Sequence, residues 1–161
     1  MNLNNHIESL KNLRSDQKPL WGKMTPQHMV EHLYKAVQSS INEIQFSVLT
    51  EERKIPVLKR IFLGEKPLPK EFMNPAIGPD LLALEFSDLN HAIKELQNVL
   101  TRYEIFFQDN PSLKTIHPVF GYLTKAEWIF FTKSILSITS HNLAPPIKLL
   151  FFPSSLGLAF Y

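Results

Sequence analysis

Apolar residues return every three or four positions in three long segments of this chain, and that spacing commits it to helices packed on one another. The clearest stripe is Met29, Val30, Leu33, Val37 and Ile41. Thr25-Pro26 stands just ahead of it. The hydroxyl can cap the first free amides, and the proline occupies a position where no amide is missed. A helix of about 16 residues is predicted there. Leu89, Ile93, Leu96, Leu100 and Tyr103 form a second stripe, with Ser87 as its expected cap. The third segment opens on Thr124-Lys-Ala-Glu127, with Trp128 in its first turn. That start is a capping box, in which the Thr hydroxyl and the Glu carboxylate satisfy each other's orphan amides.

The remaining chain is shorter elements and loops. His6 to Leu13 reads as a short first helix with Ile7, Leu10 and Leu13 on one face, followed by a polar connector over residues 14–24. Thr50 is expected to cap a further helix through Leu63, with Pro56 kinking it or marking its true start. Residues 64–86 hold four prolines and two glycines, so they are expected to form a long irregular crossover of the kind that often serves function. Strand signals are weak, Phe46–Leu49 being the best, and the expected class is all-α.

Composition removes several function classes. The chain has 161 residues, 44% of them hydrophobic and 20% charged, enough for one globular domain with a sizeable core. A net charge of +2 with Lys and Arg dispersed offers no footprint for nucleic acid. With no cysteine there is no disulfide framework and no thiolate ligand, so a metal would depend on His and carboxylate. The start MNLNNHIESLKNL lacks the basic and apolar run of a signal peptide, which points to the cytoplasm.

The average hides a break. Residues 1–128 carry 15 basic and 15 acidic side chains, whereas residues 129–161 carry only Lys133 and Lys148 beside 18 hydrophobic residues. A solvated helix needs a polar face, and this tail can hardly build one. Nor does it suit a membrane span, because Lys148 and Pro153 interrupt a stretch already short of the roughly 20 apolar residues required.

Among the histidines, His28-Met-Val-Glu31-His32 fits H-x-x-E-H, the inverted zincin pattern. Two His four apart share one helix face and can chelate zinc while the Glu activates water. Five positions make a permissive motif, and such a protease needs a third ligand and a larger catalytic domain. The plainer reading leaves His28 facing solvent in the first helical turn. It places His32 beside Met29, Leu33 and Ala36 at the apolar seam. His6 and His91 read as surface residues, and His117, before Pro118, as extended and structural. No phosphate-binding glycine loop and no G-x-S-x-G elbow is present.

Taken together, LWGKMTPQHMVEHLYKA, the Pro-rich middle and HPVFGYLTKAEW resemble the DinB-like superfamily, and within it a bacterial subgroup of domains of unknown function. The resemblance covers residues 1–128 and is strongest in the H-P-x-F-G run before the last helix. It implies a four-helix bundle with a long irregular crossover over residues 1–144, leaving 145–161 as an apolar tail outside the fold. It also implies a divalent metal, Zn or Ni, held by one His on the second helix and two on the last. His32 corresponds to the first of these. The activity implied is that of a metal-dependent (thiol) transferase or hydrolase acting on a small molecule. The alternative is a non-catalytic helical module that binds a partner or forms a homodimer. No nucleic acid and no membrane is expected as partner.

The resemblance breaks after Trp128. The subgroup's last helix continues into K-H-x-x-H-H-x-x-Q-F-G, where this chain reads IFFTKSILSITSHNLA. A single base lost after the Trp codon converts one ending into the other. Under that shift His can arise only beneath Ile, Met or Thr, and the required positions hold Ile135, Ile138 and Thr139. Asn142, Leu143 and Ala144 allow Gln, Phe and Gly in the same frame. With the charge break at the same place, the reading favoured is a one-base frameshift in the gene or its sequence record, against a divergent natural C-terminus. His141 lies off the helical face of the missing histidines and does not replace them. The metal is therefore expected to bind weakly or not at all.

Overall fold

A computed structural model describes residues 7–8, 10–20, 22–63 and 81–142, the last five as backbone alone. Its elements in chain order are α1 (Pro26–Ser40), a 3₁₀ turn (Glu52–Lys54), α2 (Ile55–Phe62), α3 (Leu89–Asp109), a hairpin of β1 (Thr115–His117) and β2 (Gly121–Leu123), and α4 (Lys125–Asn142). The described protein is mostly helical. His6, most of the crossover and the segment 145–161 lie outside the described residues, as does part of the expected first helix, of which Ile7, Glu8 and Leu10 are helical and Ile7 and Leu10 buried.

The long pair α1 and α3 forms the main helix contact, and α4 packs against α1. The stripes foreseen in the sequence make this interface. Val30, Leu33 and Val37 of α1 meet Ala92, Ile93, Leu96, Val99, Leu100 and Tyr103 of α3 in one buried cluster, with Trp128, Phe131 and Leu136 of α4 joining it. α1, α3 and α4 each begin where a side chain takes over free amides. The Thr25 hydroxyl accepts the His28 amide at 3.3 Å, with Pro26 in the first turn. At α4 the capping box is complete: Glu127 accepts the Thr124 amide at 2.8 Å, and the Thr124 hydroxyl accepts the Glu127 amide at 3.3 Å.

α1 ends in a Schellman turn. Asn42 takes φ of 60°, its amide donating to the Ser39 carbonyl and the Glu43 amide to the Gln38 carbonyl. Asn tolerates this left-handed position better than most residues. Glu43 then makes a two-pronged ion pair with Arg102 of α3, at 2.6 and 2.9 Å, which ties the two helices at this end.

Three expectations need correction. The cap of α3 is Asp88, whose carboxylate accepts the His91 amide at 2.9 Å, while Ser87 donates its hydroxyl to Asp88. The extra oxygen of a carboxylate lets Asp88 bind both groups at once. Thr50 does not cap a helix, and α2 starts at Ile55 with Pro56 in its first turn, so the proline marks the true start. Phe46–Leu49 forms no strand; the small sheet lies at Thr115–His117 and Gly121–Leu123, pairing Thr115 with Leu123, Ile116 with Tyr122 and His117 with Gly121. The class is mostly helical, with one small two-stranded hairpin among the described residues. Among the described residues, no helix is long and apolar enough to cross a membrane.

Candidate functional site

His117 builds the hairpin around its own ring. Pro118 fixes the first turn position, and the His117 side chain reaches over the turn, where Nδ1 accepts the amides of Val119 at 3.1 Å and Phe120 at 3.3 Å. Gly121 closes the turn at φ of +65°, and a Cβ there would lie 3.2 Å from Ile55. The H-P-x-F-G run thus has a local physical meaning. The ring is buried, stacked on Phe120 at 4.6 Å and edge-on to Phe131 of α4, also at 4.6 Å.

The hydrogen bonds also fix the proton. Two donors aimed at Nδ1 leave that nitrogen bare, so the neutral ring carries its hydrogen on Nε2. Nε2 then has no lone pair for a metal, and Nδ1 is already engaged. His117 holds the turn and is no ready substitute ligand. Burial first, and charge on His32 second, push its pKa down to about 3.

The influence of His32 on His117 puts the two imidazoles within electrostatic reach of each other. His32 sits on α1 between the buried Glu31 and Leu33; it is half-buried, and loss of hydration pushes its pKa below the ordinary 6.5. Burial thus favours its neutral form, which offers a lone pair. It lines a small pocket of about 30 Å³ together with Met24, His28, Glu31, Lys35 and the segment Leu81–Ala83. His28, foreseen in solvent, is instead half-buried on the same wall, with Nδ1 2.6 Å from the Thr25 hydroxyl that also caps its own amide. Engagement with the cap, one turn from His32, explains the difference.

Glu31 does not face a metal. It is 4% exposed, and its carboxylate accepts the amides of Glu85 at 2.7 Å and Phe86 at 3.2 Å, plus the side-chain amide of Gln27 at 3.0 Å. Both oxygens are thereby consumed in holding the chain. Sequence reasoning missed this role; the one available signal was Gln27, four residues earlier on the same face. Thr115 was also missed. Its buried hydroxyl donates to the Ser40 carbonyl at 2.7 Å and accepts the Trp128 indole at 2.8 Å, joining α1, β1 and α4.

On α4, Trp128, Phe131, Thr132 and Leu136 are buried, and Ile135, one turn beyond Phe131, packs partly buried against the core. The position that carries the first histidine in the resembling group therefore belongs to the inner face of α4. The side chains of Ile138, Thr139 and His141 lie outside the described residues. Among the described residues, no three His, Cys, Asp or Glu side chains are grouped to hold a metal.

Comparison with family models, with curated proteins and with solved structures found no match.

Proposed function

We propose that this chain is a DinB-like helical bundle in which His32 is the remaining ligand of a three-histidine centre for zinc or nickel, a centre that is incomplete here. The observation supporting this most directly is the setting of His32: a half-buried imidazole on α1, at a pocket and within electrostatic reach of the His117 ring that packs on Phe131 of α4. Three neutral imidazoles suit these ions and leave a position open for water or a small substrate. Among the described residues, none joins His32 in such a centre. Ile135 offers no ligand, Glu31 is spent on backbone amides, and His117 holds its proton on the wrong nitrogen. A bundle of this kind with its histidines intact would be a metal-dependent transferase or hydrolase; this polypeptide retains the frame and one ligand.

Titration calorimetry with zinc and with nickel tests the reading. The chain as it stands is expected to show no stoichiometric binding, and Ile135→His/Thr139→His is expected to bind one ion tightly. Equal, tight binding by both would show that the two helix positions were never the site.

A second reading, a helical module that forms a homodimer, draws on exposed apolar side chains near the hairpin: Phe46 and Leu49, and Val57 and Ile61 of α2. The Leu49 amide donates to the Pro118 carbonyl, and Ile55 packs over Gly121, so both segments border the turn. Sedimentation of the purified chain separates the readings, since a monomer at micromolar concentration leaves the strip without this role.

A further inference from the structure

The end of the crossover is fastened across α1 with more bonds than a loop of its exposure needs. Leu81, Leu82 and Leu84 are largely exposed, and residues 81–85 form no helix or strand. Yet the two residues that follow Leu84 are gripped from several sides. Glu31 accepts both of their amides. Gln27 donates one hydrogen to Glu31 and the other to the Phe86 carbonyl, at 3.0 and 2.8 Å. Lys35 pairs with the Glu85 carboxylate at 3.5 Å, and the Phe86 ring meets Tyr34 edge-on at 5.1 Å. Gln27, Glu31 and Lys35 stand four apart, on one face of α1.

Just upstream of this grip, Leu81, Leu82 and Ala83 form a wall of the pocket that His28 and His32 also line. A buried carboxylate with no cation on it is costly unless several donors surround it. Here the donors are the Glu85 and Phe86 amides, just downstream of that wall, and the Gln27 side chain. We infer that Glu31 is a positioning residue: its carboxylate latches the segment Leu81–Phe86 over His32, and the wall so held restricts what reaches the imidazole to small, largely apolar molecules. The pocket admits something of the size of a few water molecules, and Met24, Leu81, Leu82 and Ala83 give it an apolar side. In the H-x-x-E-H motif the glutamate thus governs access to His32 and does not activate water there. The inference rests on His32 as the functional group but is independent of metal binding.

Acylation by diethylpyrocarbonate, resolved by peptide mass mapping, reads access to each histidine separately. Added N-acetylhistidine serves as the rate standard, because the His91 ring lies 5.0 Å from the Phe86 ring that the latch holds, and buried His117 should stay unreactive. In the full chain His32 should react at least tenfold more slowly than the standard. Glu31→Ala should raise the His32 rate about tenfold against that standard. Leu82→Ala removes an exposed side chain from the wall without touching the core, so it should fold and should also speed His32. A His32 rate unchanged in both variants overturns the inference. So does a Glu31→Ala chain in which His117 becomes as reactive as His32, because that would mark loss of the fold in place of release of a wall. The metal titration can fail with these rates as expected, and the rates can fail with the titration as expected, so the two accounts fall separately.

Discussion

Lowering the pH from 7 to 5 should destabilise the fold through its buried imidazoles. Burial, with charge on His32 as the lesser cause, holds the pKa of His117 at about 3 against an ordinary 6.5. The unfolded chain therefore takes up a proton near pH 6.5 that folded His117 refuses until about pH 3. Stability is full above the unfolded value and is lost as pH falls through that window. For one such group the loss is about 2 kcal/mol by pH 5 and about 1.4 kcal/mol for each further unit. His32, also depressed by burial, adds a loss of the same sign. The Arg102 contact lowers Glu43, and the His91 amide lowers Asp88, so these carboxylates enter only at more acid pH. Urea unfolding followed by tryptophan fluorescence at pH 7, 6 and 5 gives the slope directly. His117→Asn supplies the control. Its amide oxygen can accept the Val119 and Phe120 amides yet does not titrate, so the protein should be weaker at pH 7 but show a visibly shallower slope. A stability flat between pH 7 and 5, or a slope unchanged in His117→Asn, would refute the reasoning.

Three further outcomes follow from single contacts. Thr115→Val keeps the shape but strands the Ser40 carbonyl and the Trp128 indole, and should cost about 2–5 kcal/mol in urea unfolding with an unchanged m-value. Gly121→Ala forces a Cβ into left-handed backbone against Ile55, and should cost at least about 1 kcal/mol, read as a lower Tm. Genomic DNA across the Trp128 codon should hold histidine codons for positions 135, 138 and 139, in frame if one additional base is present and in the neighbouring frame if the gene itself lost it; their absence from both frames would make the divergent C-terminus native.

Much of the frame was legible because its signals are local. Thr25-Pro26 and Thr124-x-x-Glu127 mark helix starts through bonds within one turn, and the stripes of α1 and α3 report faces that must be buried. The shift of the α3 cap from Ser87 to Asp88 is a choice between two adjacent capping side chains that pattern alone does not settle. The hairpin went unseen because three-residue strands carry almost no alternation, and Phe46–Leu49 looked more strand-like without a partner to pair with. The site was half legible. His32 at the apolar seam followed from its neighbours, whereas the roles of Glu31, Thr115 and His117 depend on groups that approach from elsewhere in the chain or from a turn folded back on itself. Glu31 is the sharpest case: the motif suggested catalysis, and its oxygens are occupied by backbone from more than fifty residues away.

The central claim, that His32 is one ligand of a three-histidine centre, is tested most directly by X-ray absorption at the zinc edge on Ile135→His/Thr139→His. The account predicts multiple scattering from three imidazoles at Zn–N distances of about 2.0–2.1 Å, falling to two with loss of tight binding when His32→Ala is added. Three imidazoles still present after His32→Ala, or tight zinc binding unaffected by it, would contradict the account.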